Sequence, residues 1–141
     1  MNTTITNKHV IDRLNFFGIK PSIQRIAILK YLLEHRTHPA IDEIYEALSK
    51  EMITLSKTTI YNTLQLLESK GAILSILIDD KMVHYDGYPT QHAHFMCNCC
   101  GKIFDIEQKF DYPSANAILK NFKITETQMY YKGICNLCLT K

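Results

Sequence analysis

The sequence contains no apolar run that approaches the ~20 residues a helix needs to span a bilayer, which argues against a transmembrane protein. Its first 18 residues also lack the uninterrupted apolar core of a secretory signal peptide. We therefore expect a cytoplasmic protein whose cysteines stay reduced. In such a protein, closely spaced cysteine pairs bind metal ions more often than they form disulfides.

Repeats and low-complexity segments are absent as well, and 46% apolar with 21% charged residues is the composition of a globular chain. A length of 141 residues allows one compact unit or two very small domains. The net charge of +2 gives no sign of nucleic-acid binding. Within the first 33 residues, however, the single acidic residue Asp12 faces Lys8, Arg13, Lys20, Arg25 and Lys30. This basic stretch could contact phosphates, and an ordinary solvated face explains it equally well.

Two cysteine pairs are the clearest motif that the sequence does contain. Cys97-x-x-Cys100 is followed by Gly101, and Cys135-x-x-Cys138 lies almost at the C-terminus. The two-residue gap lets both sulfurs of a pair reach one ion, and two such pairs predict a closed Cys₄ site for structural Zn²⁺. Cys99 is a third thiol within the first pair, and we interpret it as a spare.

A second group of metal-binding residue types surrounds the first cysteine pair. His92 and His94 are two residues apart, so on a strand both imidazoles would project from one face. Asp86 and Asp105 lie close by in the sequence, and His38 is a less obvious fifth candidate. Nitrogen and oxygen donors suit Fe²⁺, Mn²⁺ or Zn²⁺. The alternatives are two surface histidines and, for His38, a histidine at a helix start; the remaining histidines receive no role.

Apolar residues recur at helical spacing in four stretches of the first 70 residues. Ser22 and Ser56 are suitable N-caps for the second and fourth helices, and Gly18 and Gly71 suit the ends of the first and fourth. Residues 72–85 (AILSILIDDKMVHY) then predict two strands joined around residues 79–81. Helices followed by a two-stranded wing predict a winged helix-turn-helix domain over residues 1–85, with the fourth helix as recognition helix.

Glycine and proline in residues 86–90 predict a hinge, and residues 91–141 predict a smaller α/β dimerisation domain. Its strand-like stretches are 92–97, 102–107 and 124–135, with one short helix capped by Ser114. The overall class is therefore α+β. This half is too small to build much of a core alone, so we expect zinc and a partner subunit to supply part of its stability.

The predicted recognition helix would bury Ile60, Leu64 and Leu67 and turn polar side chains outward. Such groups can bond phosphates and base edges in a major groove, although an ordinary amphipathic helix is the alternative. The candidate DNA contacts are Lys57, Thr58, Thr59, Tyr61, Asn62 and Gln65, together with Arg25 from the basic stretch.

Taken together, these residues resemble the ferric uptake regulator (Fur) family of metal-dependent bacterial repressors over nearly the whole chain. The matching segments are GIKPSIQRIAIL, THPAIDEIYEAL, LSKTTIYNTLQLLESKG, HAHFMCNCCGKIFDIE and the terminal cysteine pair. The resemblance implies a homodimer whose N-terminal domain binds operator DNA. It also implies a regulatory metal on His38, Asp86, His92, His94 and Asp105, and structural zinc on Cys97, Cys100, Cys135 and Cys138.

Within the family, the chain looks most like the peroxide-sensing (PerR) branch. Both acidic ligand positions are aspartate, where the iron-uptake branch usually has glutamate, and the Tyr61-Asn62 pair is similar to the peroxide branch. This resemblance implies Fe²⁺ or Mn²⁺ as regulatory ion and iron-catalysed oxidation of His38 or His92 by peroxide. We predict a repressor, not an enzyme, with no organic small-molecule substrate and no membrane partner.

Three other interpretations remain open at this stage. A repressor of the same architecture could report the availability of iron or another metal instead of peroxide. Two histidines and a carboxylate also occur in non-haem iron oxygenases, although no substrate-pocket motif is visible. A zinc-ribbon protein that only binds partners is a third class, which the winged-helix half disfavours.

Overall fold

The computed structural model describes residues 4–89, 92–107 and 117–140. Contacts divide the chain into two compact units, Met1–Pro89 and Thr90–Lys141. The first is helical with a small two-stranded sheet, and the second contains a three-stranded sheet, so the fold class is α+β as predicted. In the described part of the chain, no helix is long and apolar enough to cross a membrane.

Four helices form the first unit: α1 (Asn7–Phe16), α2 (Ile23–Glu34), α3 (Ile41–Leu48) and α4 (Lys57–Ser69). The hydroxyls of Ser22 and Ser56 accept the backbone N–H groups of Arg25 and Thr59, which confirms both predicted N-caps. α3 has no side-chain cap and begins directly after Ala40. The helix starts are thus fixed largely by local sequence.

Gly18 and Gly71 follow the ends of α1 and α4 with φ values of 75° and 81°. This left-handed conformation is available to glycine without a Cβ clash, so both predicted helix ends are confirmed. The four helices pack around one apolar core, whose fully buried members include Val10, Leu14, Ile28, Leu29, Ile44, Ile60, Leu64, Leu67 and Ala72.

The two strands of the first unit pair antiparallel after α4. β1 (Leu74–Ile76) aligns Ile76 with His84 of β2 (His84–Asp86). Within the connecting turn, the Asp79 carboxylate accepts the backbone N–H of Lys81 at 2.9 Å. Both strands are short, and this small sheet is the wing of the predicted winged helix-turn-helix.

In the second unit, β3 (Ala93–Cys97) lies between β4 (Ile103–Ile106) and β5 (Tyr130–Gly133). β4 pairs antiparallel with β3, and β5 pairs parallel with it. The strand predicted over residues 124–135 is therefore too long, because only four residues pair with β3. A short 3₁₀ helix (Ala117–Leu119) and α5 (Asn136–Leu139) are the other described elements of this unit. The helix start predicted at Ser114 lies outside the described residues.

Candidate metal sites and nucleic-acid surface

The four sulfurs of the two cysteine pairs come together in the second unit. Cys97 ends β3, Cys100 follows in the next turn, and Cys135 and Cys138 lie at the start of α5 and within it. Their sulfur atoms all lie within 4.8 Å of one another, and Cys100 Sγ is 3.9 Å from Cys135 Sγ. Sulfurs on a tetrahedral Zn²⁺ with bonds of about 2.3 Å are about 3.8 Å apart. The cluster therefore has the dimensions of a closed zinc site.

Backbone N–H groups prepare one of these sulfurs to bind a cation. Cys97 Sγ accepts from the N–H groups of Cys135 at 3.3 Å, Cys99 at 3.4 Å and Cys100 at 3.5 Å. These bonds, chiefly those from Cys100 and Cys135, lower the pKa of the Cys97 thiol to about 6. Hydrogen bonding to Cys135, with burial, instead raises the pKa of Cys138. The Cys97 thiol therefore loses its proton easily, whereas a cation that binds Cys138 would have to displace the proton of that thiol.

Gly101 and Cys99 lie next to Cys100, the second residue of the first cysteine pair. Gly101 has a φ of 75°, and its N–H bonds to the Cys97 carbonyl at 2.9 Å, which closes the turn that carries Cys100. Cys99 is exposed, and its sulfur is not among the four clustered atoms.

His38 and Asp86 meet within the first unit. His38 lies between α2 and α3, and Asp86 is the last residue of β2. His38 Nε2 is 3.5 Å from Asp86 Oδ2, and both side chains are almost fully buried, at 2% and 3% exposure. A second carboxylate oxygen of Asp86 accepts the Tyr88 N–H at 2.9 Å, which fixes the orientation of the carboxylate.

The backbone of His38 is unusual. Its φ of 61° is the one positive value among the described non-glycine residues. A left-handed conformation is unfavourable for a residue with a Cβ, and it persists where surrounding contacts hold it. Here the His84 ring contacts the His38 carbonyl, with Nδ1 at 2.6 Å, and the Tyr85 N–H bonds to the Pro39 carbonyl at 3.0 Å.

His84 is the residue that the sequence reasoning missed. It is buried, and its Nε2 lies 3.0 Å from Asp79 Oδ2. This contact is the main reason why the pKa of Asp79 is lowered. The signal was present, since His84 and Asp86 are two residues apart on one strand, the same spacing that singled out His92 and His94.

His92, His94 and Asp105 meet within the second unit. The pairing of β3 with β4 places His94 opposite Asp105, and His92 immediately precedes β3. Asp105 Oδ1 lies 3.0 Å from His92 Nε2 and 3.3 Å from His94 Nε2. The two imidazole rings are 4.4 Å apart, and both histidine side chains are at most 8% exposed.

These separations suit a divalent cation. Donor atoms bound to one ion at about 2.1 Å lie roughly 3.0–3.4 Å apart. The two separations in the second unit, 3.0 and 3.3 Å, fall within that range, and the 3.5 Å between His38 and Asp86 lies just above it. Imidazole and carboxylate without thiolate favour Fe²⁺, Mn²⁺ or Zn²⁺ over softer ions. In the second set, His92 Nε2 and Asp105 Oδ1 are also within hydrogen-bond distance, at 3.0 Å. The two donor sets are therefore candidate cation sites.

The exposed face of α4 carries most of the predicted DNA contacts. Lys57, Thr58, Tyr61, Asn62 and Gln65 are exposed, whereas Ile60, Thr63, Leu64 and Leu67 face the core. The Gln65 amide donates to the Tyr61 hydroxyl at 2.7 Å. The helix therefore presents a polar strip of donors and acceptors, as its 3.6-residue period predicted.

Besides Tyr61 and Gln65, three other predicted DNA contacts interact with residues of the protein itself. Thr59 is half-buried, and its hydroxyl lies 3.0 Å from that of the N-cap Ser56. Arg25 donates from its guanidinium to the Lys20 carbonyl at 2.8 Å. Lys57 Nζ lies 3.0 Å from Asp42 Oδ1 in an exposed ion pair. Of these, Thr59 has the clearest structural role, because it completes the helix start.

Comparison with known proteins gives a consistent result. The model of the ferric uptake regulator family matches residues 17–132. The peroxide-responsive repressor PerR of Staphylococcus aureus strain Mu50 is 37% identical over 137 residues, covering 93% of this chain and 90% of that protein.

Solved structures extend the likeness to the fold. The Helicobacter pylori ferric uptake regulator superposes with a TM-score of 0.70 at 23% identity, covering 99% of this chain and 97% of that one. The Campylobacter jejuni peroxide stress regulator gives a TM-score of 0.62 at 26% identity, with 93% and 94% coverage.

Proposed function

Because the chain belongs to the ferric uptake regulator family of metal-responsive transcriptional regulators, which are not enzymes, we propose that it is a cytoplasmic, homodimeric repressor controlled by peroxide. With Fe²⁺ or Mn²⁺ bound it holds operator DNA, and oxidation of a ligand histidine releases the DNA. The observation that carries this proposal is the pair of thiolate-free donor sets, His38 with Asp86 and His92 with His94 and Asp105.

We assign the five donors to one regulatory ion. Three neutral imidazoles and two carboxylates balance the charge of a divalent cation, which makes the complete set electrically neutral. Two of the donors belong to the first unit and three to the second. An ion that takes ligands from both would restrict the hinge between them and so favour the one spacing of recognition helices that operator half-sites require.

We assign Zn²⁺ to the four clustered sulfurs, in a structural role. The sulfur separations and the easily ionised Cys97 support this assignment. A site closed by four protein ligands leaves no position for a substrate or for water, which suits stability and not sensing.

DNA binding is assigned to the exposed face of α4. In helix-turn-helix proteins the second helix lies in the major groove with its N-terminal residues at the base edges. Lys57, Thr58, Tyr61, Asn62 and Gln65 supply the donors and acceptors for such contacts, and Arg25 supplies a phosphate contact. Thr59 contributes by holding the N-terminus of α4 in place.

The ion pair between Lys57 and Asp42 gives a testable consequence for this surface. Replacing Asp42 by asparagine releases Lys57 and removes a negative charge near the phosphates. An exposed pair is worth about 0.2–1 kcal/mol, so we expect DNA affinity to rise about 1.4- to fivefold at low salt. The measurement is fluorescence anisotropy of Mn²⁺-loaded protein on an operator that the protein itself selects from random DNA. Glu46→Gln, which alters a charge on the same helix, is the control, and an equal rise there contradicts the role of Lys57.

A bound Fe²⁺ would activate H₂O₂ beside its histidine ligands as a one-electron catalyst and would be regenerated overall. In the net reaction the imidazole supplies two electrons: one imidazole C–H becomes a carbonyl with N–H, so the histidine gains one oxygen while H₂O₂ is reduced to water. His38 and His92 are the proposed targets. His38 lies 3.5 Å from the Asp86 carboxylate, and His92 lies 3.0 Å from the Asp105 carboxylate. Oxidation of either imidazole would therefore also disturb the contact with its neighbouring carboxylate.

Peptide mass analysis after a mild peroxide pulse tests this step. We expect Fe²⁺-loaded protein to gain one oxygen on His38 or His92 and to release the selected operator, while Mn²⁺-loaded protein does neither. A disulfide with unmodified histidines would contradict the oxidation route. If peroxide leaves both forms bound to DNA, the protein reports metal availability instead.

A further inference from the structure

The first unit contains a buried polar chain that the proposed function does not use. It runs from the turn of the wing to the backbone of His38, through Asp79 and His84. The Asp79 carboxylate accepts the Lys81 N–H with one oxygen and lies 3.0 Å from His84 Nε2 with the other. The second ring nitrogen, His84 Nδ1, lies 2.6 Å from the His38 carbonyl.

Both partners of the His84 ring are acceptors. A carbonyl has no hydrogen to give, and an ionised carboxylate has none either. Each ring nitrogen of His84 thus contacts an acceptor, on opposite sides of the ring. Side-chain exposures of 10% for His84 and 13% for Asp79 show that little water competes with these bonds. A buried polar network of this kind is rigid when every member is satisfied.

The buried polar network formed by Asp79 and His84 ends at His38, the residue with the strained backbone. His38 has its left-handed φ of 61°, and its carbonyl direction is set by the bond to His84. Two further links join the same segments, from the Tyr85 N–H to the Pro39 carbonyl and from Asp86 to the His38 ring. Three successive residues of β2 thus hold residues 38–39, and the direction of the His38 imidazole depends on where the wing lies.

We propose that His84 and Asp79 are positioning residues that couple the wing to the regulatory ion. The wing turn, residues 79–83, and the imidazole of His38 then move as one body. This inference rests on the proposed function, because it needs His38 as a ligand and the wing near DNA. By linkage, metal binding orders the wing for DNA, and DNA held by the wing raises metal affinity by the same factor.

The test measures both affinities in one thermodynamic cycle, on the full-length zinc-loaded protein with Mn²⁺ as the probe. Free Mn²⁺ is followed by electron paramagnetic resonance with and without the selected operator. We expect Asp79→Ala and His84→Leu to lower Mn²⁺ affinity about tenfold, because loss of a residue that supports a metal ligand has an effect of this size. Both variants should also reduce the factor by which operator DNA raises Mn²⁺ affinity. His84→Gln keeps a donor for the His38 carbonyl and should restore part of the Mn²⁺ affinity.

Asp80→Ala is the matched control, since it removes the same charge from the same turn at an exposed position. It should leave Mn²⁺ affinity and its dependence on DNA unchanged. Equal effects of Asp79→Ala and Asp80→Ala would show that loss of negative charge in the turn alone explains the result, and would overturn the proposal. So would unchanged Mn²⁺ affinity and coupling in Asp79→Ala, which remains informative if His84→Leu does not fold. If wild-type protein binds DNA without regard to Mn²⁺, the proposed function itself fails.

Discussion

Replacing Asp105 by alanine should lower the Mn²⁺-dependent affinity for operator DNA by about 100-fold or more. Asp105 Oδ1 is the atom that both His92 and His94 face, at 3.0 and 3.3 Å. Its loss removes one donor and leaves two imidazoles without the carboxylate that aligns them. Loss of a partner that only supports a ligand already weakens a metal site 10- to 100-fold, and loss of a ligand should weaken it at least as much.

The Cys₄ cluster should survive this change, so the variant separates the two sites. Zinc content and the dimer should remain as in the wild type, measured by elemental analysis and by light scattering. Glu107→Ala removes an exposed carboxylate two residues away and serves as control. Normal Mn²⁺-dependent DNA binding by the Asp105 variant would exclude Asp105 from the regulatory site.

Replacing Cys138 by serine should have an even broader effect, through loss of the structural zinc. Among the described residues of the second unit, the sheet has three strands, and α5, which carries Cys138, spans four residues with Leu137 and Leu139 exposed. Little packing therefore holds this segment without the metal. A structural Zn²⁺ site contributes on the order of 10–16 kcal/mol of apparent binding free energy, much of which a three-sulfur site would lose.

We expect the Cys138→Ser protein to contain well under one zinc per chain and to be monomeric or aggregated. Elemental analysis and light scattering measure both. Cys99→Ser is the matched control, because Cys99 is exposed and its sulfur lies outside the cluster. One zinc per chain and a stable dimer in the Cys138 variant would refute the four-sulfur assignment, as would zinc loss in the Cys99 variant.

What the sequence predicted well depends on local rules. Ser22 and Ser56 cap helices through bonds to residues three positions on, and Gly18 and Gly71 end helices through their own φ. The exposed strip of α4 follows from the period of one helix. The cysteine pairs carry their geometry in a two-residue gap, so four sulfurs could be expected together before the fold was known.

What the sequence did not predict depends on register and long-range contact. The extent of β5 is set by its pairing with β3, which no local pattern between residues 124 and 135 reports. The contacts of His84 arise because β2 lies against residues 38–39. His84 and His38 are 46 positions apart in the sequence, so no local pattern reports this contact. Thr59 is predicted as a DNA contact from the helical period, which does not report that its hydroxyl lies 3.0 Å from that of Ser56.

The most direct test of the regulatory-ion assignment is a crystal structure of the Mn²⁺-loaded protein bound to its selected operator, with anomalous scattering to locate manganese. The proposed function predicts one Mn²⁺ per chain outside the sulfur cluster, with nitrogen ligands from His38, His92 and His94 and oxygen ligands from Asp86 and Asp105. A manganese ion held by residues of the second unit alone, with His38 turned away and the operator still bound, would contradict it.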